Sequence, residues 1–316
     1  MRKTKILICG ASGFIGQNLF KNFNHPRNSF DVYGTYFRNK PCVVWPNLTQ
    51  CDLRDKHQAL LVTKDMNIVI NCAAMTDGVG AVATNPVGYL ADNIRINTNL
   101  SEAAFINKVS HFIFLSCTIM YPSSTRPLKE HEHDLNNVHP KYLMFAKIKV
   151  FAEDLCRIYS GLGNTKYTVV RHTNIYGPHD KFDLIKSHVL SATITKTMKS
   201  ESQIVVWGKG EESRDFLYID DLIEFIGKAI EWQKNNFETF NVGYGKTYSV
   251  NELVQKIILC SGKNIDVVHD LEKPTVETHM NIDTEKARQY LGWSAQVSLD
   301  DGLNTTIEWY QKPPAF

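Results

Sequence analysis

Short runs of β-branched and other apolar residues alternate with amphipathic stretches through the first half of the chain. The predicted strands cover residues 5–9, 31–37, 67–73, 111–116 and 167–171, and the predicted helices cover 14–23, 56–63, 91–107 and 142–159. Strands and helices that alternate in this way build a parallel sheet with helices on both faces. The pattern therefore predicts an α/β fold with a doubly wound parallel sheet.

The alternation weakens after Gly177-Pro178. Beyond it the pattern predicts helices over 184–199, 221–233 and 250–261 and a strand around 204–206. We predict a larger domain of residues 1–175 plus about 215–245 and a smaller α/β lobe of residues 176–214 and 246–316. The two lobes are expected to share one cleft.

The composition narrows the class of protein. The chain has 316 residues, 43% of them hydrophobic and 22% charged, which is enough to bury a full core. A formal net charge of +2 lacks the basic excess that nucleic-acid binding requires, and no apolar run approaches the ~20 residues of a membrane helix. Seven cysteines without a C-x-x-C pair indicate reduced thiols. We expect a cytoplasmic protein that binds neither nucleic acid nor a membrane.

A glycine-rich turn follows the first predicted strand. Gly10, Gly13 and Gly16 form the pattern G-x-x-G-x-x-G, and a helix begins directly after the second glycine. In a Rossmann fold such glycines allow a tight turn, a close approach of backbone to a pyrophosphate, and close packing of helix on strand. The alternative is an ordinary strand-to-helix turn. We expect residues 10 and 12–16 to bind a dinucleotide: Gly10, Ser12, Gly13, Phe14, Ile15 and Gly16.

The end of the second strand bears on the choice of cofactor. An acidic residue there binds the adenosine ribose of NAD, whereas a basic residue accommodates the 2′-phosphate of NADP. Here Arg38 follows the strand, and the next acidic residue is Asp52. This arrangement favours NADP over NAD, unless Arg38 belongs to a solvated surface turn. Asp52 and Leu53 are expected to flank the adenine.

Several motifs together resemble the extended short-chain dehydrogenases/reductases, in particular their nucleotide-sugar epimerase/dehydratase group. They are the glycine turn, Asn71-Cys72-Ala73-Ala74, Asn174-Ile175-Tyr176-Gly177-Pro178 and the segment Arg214 to Asp221. Residues 114–122, 176–182, 187–189 and 205–208 are most similar to the GDP-L-fucose synthases. The resemblance implies NADPH-dependent reduction of the 4-keto group of a GDP-linked sugar, with or without epimerisation at C3 and C5. It also implies that Ala73, Ala74, Asn174 and Ile175 contact the cofactor and that Asn174 reaches the substrate.

In this family a tyrosine protonates the ketone oxygen, and a lysine four residues later lowers the pKa of that tyrosine. We assign the lysine to Lys147, which would also contact the nicotinamide ribose. The spacing Tyr-x-x-x-Lys places the tyrosine at Leu143, whereas the nearest tyrosine is Tyr142. Tyr142 is either the acid, through an irregular first helical turn, or a packing residue.

A hydroxyl that polarises the substrate oxygen is implied four residues before Tyr121. Cys117 occupies that position, and a thiol is a weak hydrogen-bond donor. Thr118 is our choice for the hydroxyl, with Ser116 as the alternative.

Epimerisation beside a ketone needs a proton acceptor on one face and a donor on the other, and the resemblance assigns these roles to a cysteine and a histidine. His188 matches the histidine, but Ile119 stands at the cysteine position. Either Cys117 substitutes for that cysteine, or the enzyme reduces a ketone only.

The resemblance places the sugar nucleotide against His188, Val189, Trp207 and Arg214. A guanidinium can bind a diphosphate bidentately and an indole can pack on a base or sugar. The alternatives are core packing for Trp207 and a salt bridge for Arg214.

Three expectations complete the prediction. The acidic and histidine-rich segment 130–134 lacks a defined set of ligands, so no metal is expected. Helices 91–107 and 142–159 are expected to form a homodimer interface, as in this family. The competing functions are a non-catalytic, cofactor-binding regulatory protein and an NAD-dependent sugar-nucleotide epimerase or dehydratase.

Overall fold

The computed structural model describes residues 3–39, 45–75, 86–184, 187–273 and 275–312. The strands are β1 (Thr4–Cys9), β2 (Phe30–Tyr36), β3 (Leu48–Gln50), β4 (Ile68–Asn71), β5 (His111–Cys117), β6 (Ser124–Leu128), β7 (Lys166–His172), β8 (Asn174–Tyr176), β9 (Gln203–Trp207), β10 (Ser213–Tyr218), β11 (Phe237–Val242), β12 (Thr247–Ser249), β13 (Asp266–Asp270) and β14 (His279–Ile282). The helices are α1 (Phe14–Phe23), α2 (Lys56–Thr63), α3 (Pro86–Ile106), α4 (Pro140–Leu162), α5 (Val189–Lys199), α6 (Ile219–Trp232), α7 (Val250–Ser261), α8 (Glu285–Leu291) and α9 (Leu299–Gln311).

The large sheet has seven strands in the order β11-β7-β5-β4-β1-β2-β3. Every neighbouring pair in it is parallel. The central strands are buried on both sides because helices cover both faces, which explains their nearly continuous apolar sequences. The predicted doubly wound parallel sheet is confirmed.

Alternate residues of the strands pack into two separate clusters. On one face Ile6 and Ile8 of β1 pack with residues of α1 and α6, and on the other face Leu7 packs with residues of α3 and α4. Phe112 and Phe114 of β5 lie in the second cluster, so the even-numbered residues of β5 face α3 and α4.

Two smaller sheets lie outside the large one. One has the order β12-β10-β14-β6, with β8 pairing to β10, and the other pairs β13 with β9. Residues 237–242 join the large sheet, whereas 213–218 belong to a small sheet. The proposed domain boundaries stay a prediction. Among the described helices, none combines the length and the hydropathy needed to cross a membrane.

The carboxyl ends of the parallel strands meet at one edge of the large sheet. Cys9 pairs with Asn71 across β1 and β4, and Cys117 pairs with His172 across β5 and β7. Ligands bind outside this edge in open α/β sheets. The candidate site is therefore built here.

Candidate active site at the carboxyl edge of the sheet

Two glycines of the turn after β1 have no room for a side chain. Gly10 has a φ of +78°, and a Cβ on it would lie 2.9 Å from the Cα of Ala73. A Cβ on Gly16 would lie 2.2 Å from the carbonyl oxygen of Gly10. The turn therefore needs both glycines, because strand, turn and helix pass closer together than any side chain allows.

The middle glycine leaves the start of α1 open. Gly13 is the N-cap of α1 and is exposed, and no side chain caps the helix. A Cβ on Gly13 would meet only the oxygen of Gly10, at 3.3 Å. The amides at the start of α1, including those of Phe14 and Ile15, can therefore face an anion. These residues fit the diphosphate of a dinucleotide.

The neighbouring strand end lies beside this turn. The Ala73 N–H donates to the side chain of Asn71 at 3.1 Å, and Asn71 in turn bonds Asn97 of α3. Ala73 is half-buried and Ala74 is exposed. Both residues thus lie beside the glycine turn, where the sequence analysis expects them to contact the cofactor.

Two arginines flank one aromatic ring after β2. The guanidinium carbons of Arg38 and Arg54 lie 5.0 and 4.6 Å from the centroid of Phe37. Arg54 binds Asp52 and Asp92 at 2.7 and 2.9 Å, and its hydrogen bonds hold the pKa of Asp52 below the ordinary value. Arg38 is exposed and makes no ion pair within the described part of the chain. The sequence analysis did not identify Arg54, because its stacking on Phe37 depends on the fold.

Leu53 and Ile175 are less accessible than the cofactor prediction requires. Leu53 is 6% exposed and Ile175 is 8% exposed, and both belong to hydrophobic clusters. Side-chain contacts from these residues to a ligand would need a local rearrangement. Asn174 is half-buried and bonds the carbonyl oxygen of Asp215.

The lysine that reaches the strand ends is Lys149, not Lys147. Lys147 is exposed and makes no hydrogen bond or ion pair with the described residues. Lys149 is half-buried; its Nζ donates to the Leu115 carbonyl oxygen at 2.8 Å and lies 4.9 Å from the Phe114 ring centroid. The reason is helical phase: α4 presents residues 146, 149, 152 and 153 to the sheet, and position 147 points outward.

Tyr142 lies in a packing environment. It packs against a hydrophobic cluster that includes Met120 and Met280, and its ring centroid is 5.8 Å from that of His139. The helix is regular from Pro140 onward, so its first turn does not absorb an extra residue. Of the two alternatives for Tyr142, the structure therefore agrees with the packing residue.

Counting four residues back from Lys149 gives Phe145 instead of a tyrosine. Phe145 is half-buried, and its ring meets Tyr89 of α3 edge-on, with centroids 6.3 Å apart. The spacing that the family resemblance implies is therefore kept on α4, but the phenol oxygen is missing.

The three candidate polar groups at the end of β5 have different surroundings. The Ser116 hydroxyl donates to Glu153 of α4, and the residue is fully buried. Burial raises the pKa of the Cys117 thiol, and the nearby Lys149 ammonium opposes that rise. Thr118 is 6% exposed, and its hydroxyl bonds no described residue. Ser116 is thus already committed to Glu153, whereas the Thr118 hydroxyl is not.

A buried ion pair lies one turn beyond Lys149. Arg171 binds Glu153 at 2.6 Å, and it also donates to the Tyr121 hydroxyl at 2.9 Å and to the carbonyl oxygen of Glu130. The Tyr121 hydroxyl donates to Asn241. This network joins β5, β7, β11 and α4, and sequence reasoning did not find it because its members are far apart in the chain.

His188 is exposed and forms the N-cap of α5, directly before Val189. It lies close enough to His172 and Asp180 to influence both: burial lowers the pKa of His172 to about 4 and raises that of Asp180, and in each case His188 favours the lower value. The structure therefore brings His188 toward the end of β7.

Trp207 and Arg214 differ in how accessible their side chains are to a ligand. Trp207 is 48% exposed, and the Nζ of Lys196 lies 5.2 Å from its ring centroid. Arg214 donates to the carbonyl oxygens of Ser213, Val276 and Thr278. Trp207 does not fill the core, whereas Arg214 already has backbone partners on both terminal nitrogens and would have to exchange some of them to bind a diphosphate.

The segment 130–134 shows no metal-binding geometry in the described part of the chain. Glu132 pairs with Arg126, and the Glu130 carboxylate accepts from the Asn241 N–H. No group of three or more potential ligands comes together among the described residues.

The fold and this edge together define a dinucleotide-binding α/β protein whose ligand site lies at the carboxyl ends of its strands. Residues 6–243 match the model of the NAD dependent epimerase/dehydratase family, and the chain belongs to that family.

Two curated relatives and one solved structure show how far the similarity extends. The chain is 29% identical to a GDP-L-fucose synthase of Escherichia coli (strain K12), over 98% of this chain and 97% of that protein. It is 28% identical to a GDP-L-colitose synthase of Yersinia pseudotuberculosis, over 97% of each. A UDP-glucose 4-epimerase of Thermotoga maritima, solved with UDP-glucose, superposes with a TM-score of 0.86 at 25% identity and covers 98% of this chain and 99% of its own. The chain is thus an enzyme of the nucleotide-sugar epimerase/reductase class.

Proposed function

We propose that this enzyme uses NADPH to reduce the 4-keto group of a GDP-linked sugar, with or without epimerisation at C3 and C5. The observation that carries the proposal is the placement of Lys149 at the end of β5, at the same edge of the sheet as the diphosphate turn after β1 and separated from β1 by β4 alone. Full-length similarity to proteins named for GDP-linked sugars supports GDP as the nucleotide.

The residues that would hold the cofactor follow from the edge geometry. The amides after Gly13 face its diphosphate, and Arg38 binds the 2′-phosphate with a guanidinium that has no other ion-pair partner among the described residues. Lys149 replaces Lys147 as the lysine near the nicotinamide ribose. When bound, NADPH supplies the hydride; the side chains of this chain orient the sugar and supply the proton.

The nucleotide sugar would lie between this edge and the smaller sheets. His188 and Val189 begin α5 on one side, and Trp207 offers an exposed indole. Ile119 has no acidic proton and lies against a hydrophobic cluster, so it cannot serve as the acid or base of epimerisation. Reduction without epimerisation is therefore the simpler form of the proposal.

The test is a reaction of the purified enzyme with NADPH and a GDP-4-keto-6-deoxy sugar, followed by absorbance of the reduced nicotinamide at 340 nm and by NMR of the product. Loss of absorbance with a new C4 hydroxyl supports the proposal. Cofactor binding without turnover supports the non-catalytic alternative, and inversion with no net cofactor consumption supports an epimerase. Parallel reactions with NADH and with UDP-linked sugars decide the cofactor and the nucleotide.

Two further parts of the proposal concern the assembly and the location of the enzyme. Exposed apolar side chains on α4, including Phe151, Ile158 and Leu162, suit a homodimer in which α3 and α4 pack against their copies. Light scattering that gives a monomeric mass contradicts this. The cytoplasmic location stays a prediction.

A further inference from the structure

We propose that Lys149 itself is the acid that protonates the sugar oxygen, in place of a tyrosine phenol. This inference rests on the proposed reduction and names the proton donor for it. It begins from the observation that α4 carries Phe145, without a hydroxyl, one turn before the lysine that reaches the strand ends.

Two tyrosines considered for this edge have other surroundings. The Tyr121 hydroxyl donates to Asn241 and accepts from Arg171, and burial raises its pKa to about 12. Tyr142 packs against the cluster that contains Met120 and Met280. Neither the Tyr121 phenol, which is hydrogen-bonded within the core, nor Tyr142, which packs in this cluster, is thus brought to Lys149 by a contact in the described structure.

The remaining proton-bearing groups at the edge are poorer acids or already paired. Ser116 donates to Glu153, and burial raises the pKa of the thiols of Cys72 and Cys117. His172 stays neutral, because burial lowers its pKa to about 4, and its Nδ1 lies 2.8 Å from the Thr173 carbonyl oxygen. Thr118 can relay a proton but does not supply one at neutral pH.

Lys149 has both the charge and the free donors that the step requires. Its ammonium has three N–H donors and spends one on Leu115. Glu153, one turn later on α4, is paired with Arg171, and no ion-pair partner of Lys149 exists within the described residues. A half-buried cation without a counterion stabilises a negative charge that develops next to it.

The proton balance of the step is complete. As hydride reaches the ketone carbon from NADPH, the carbonyl π pair moves to oxygen, an O–H bond forms there and an N–H bond of Lys149 breaks. The lysine is left as a neutral amine and regains its proton from water. The products are the alcohol and the oxidised dinucleotide.

Replacing Lys149 by arginine distinguishes proton donation by the side chain from stabilisation by its positive charge alone. Lys149→Arg keeps the positive charge and the bond to Leu115, but a guanidinium does not release its proton in proteins. We expect Lys149→Arg and Lys149→Met each to lower kcat at least ~100-fold, with the dissociation constant for NADPH, measured by fluorescence, changed less than about fivefold. Lys199→Met, an exposed lysine at the end of α5, is the control and should match the wild type.

Restoring the phenol gives a readout that needs no turnover. Phe145→Tyr should add a phenol whose ionisation, read by absorbance near 295 nm as a difference from the wild type, occurs below the pH of ~10 at which ordinary tyrosine ionises. In the double variant Phe145→Tyr, Lys149→Met, that ionisation should return to the ordinary pH.

Three outcomes overturn the assignment of Lys149 and leave the proposed reduction intact. They are wild-type turnover by Lys149→Arg, a greater loss of reduction in His188→Asn than in Lys149→Arg, and a phenol at position 145 that ionises in the same way with and without Lys149. Absence of turnover in the wild type with NADPH still bound removes the proposed reduction itself.

Discussion

The glycine turn after β1 and the first turns of α4 serve the same candidate site in different ways. At the turn, the ligand-facing groups belong to the backbone, and the close approaches at Gly10 and Gly16 leave no choice of residue. On α4 the candidate group is a side chain: the Lys149 ammonium lies at the end of β5, whereas Phe145, four residues earlier, lacks the hydroxyl that the family resemblance implies there. The spacing of the glycines is thus enough to predict a backbone site for a diphosphate. The chemistry of a side chain depends instead on which residue the helix turns toward the sheet.

The largest effect is expected at the turn. Gly16→Ala places a Cβ about 2 Å from the carbonyl oxygen of Gly10, which neither backbone segment can avoid without moving. We expect loss of measurable dinucleotide binding by calorimetry and a lower midpoint of thermal unfolding. Gly227→Ala is the matched control, because a Cβ there meets nothing within 4 Å; it should bind the dinucleotide normally and unfold at a slightly higher temperature. Normal binding by Gly16→Ala would contradict the packing argument.

The second prediction compares the turnover of variants at two lysines of α4. Lys149→Met should lower kcat by two orders of magnitude or more, whereas Lys147→Met should change it less than about twofold, because only Lys149 reaches the strand ends. Steady-state reduction of the keto sugar measures both. The reverse order of effects would return the role to Lys147, to which the family resemblance assigned it.

A third prediction concerns the far end of β5. His111 is 4% exposed beside Thr168, and burial lowers its pKa to about 4. The unfolded chain then binds more protons than the folded chain between about pH 6.5 and 4, so the histidine reduces the free energy of unfolding as the pH falls through that window. Between pH 7 and 5 the expected loss is about 2 kcal/mol from this residue.

Urea unfolding of the wild type and of His111→Gln at the two pH values measures that loss. The variant should lose less stability on acidification than the wild type. An equal loss in both proteins would show that other groups, such as His172, account for the acid sensitivity.

The smallest effect is expected at the adenosine end. Arg38→Ala should weaken NADPH binding about tenfold and leave NADH binding nearly unchanged, because one charge-assisted contact to the 2′-phosphate is lost. Fluorescence titration with each cofactor checks it. Equal losses for both cofactors would assign Arg38 to general packing on Phe37 instead of 2′-phosphate recognition.

The predicted elements of the first half agree closely with the structure where periodicity is strong. Helices 14–23 and 56–63 have the predicted bounds, while α3 starts earlier, at Pro86, and α4 extends beyond its predicted range at both ends. The prediction missed the short strands β3, β6, β8 and β12, which have three to five residues each and carry too little pattern to be recognised. It also missed β10, β11, β13 and β14 and the two C-terminal helices. The predicted helix 184–199 begins at Val189, and residues 185–186 lie outside the described chain.

The residues of the candidate site were also predicted well in some places and poorly in others. The glycine turn and Trp207 occupy positions compatible with their predicted roles, but Lys147 does not. A lysine two residues away reaches the sheet instead, since a shift of two positions on a helix turns a side chain by about 200°. The predicted start of α4 was two residues late, and the sequence offered no direct measure of which face the sheet would cover.

The order of strands and helices, the tight turn after β1 and the class of cofactor were determined by local sequence, because periodicity and glycine spacing act over a few residues. Only the tertiary structure decided that Lys149 meets Leu115, that Arg54 and Arg38 flank Phe37, and that Arg171 holds Glu153 beneath the edge. These contacts depend on helical phase and on chain segments brought together by the sheet. No periodicity along the chain encodes them.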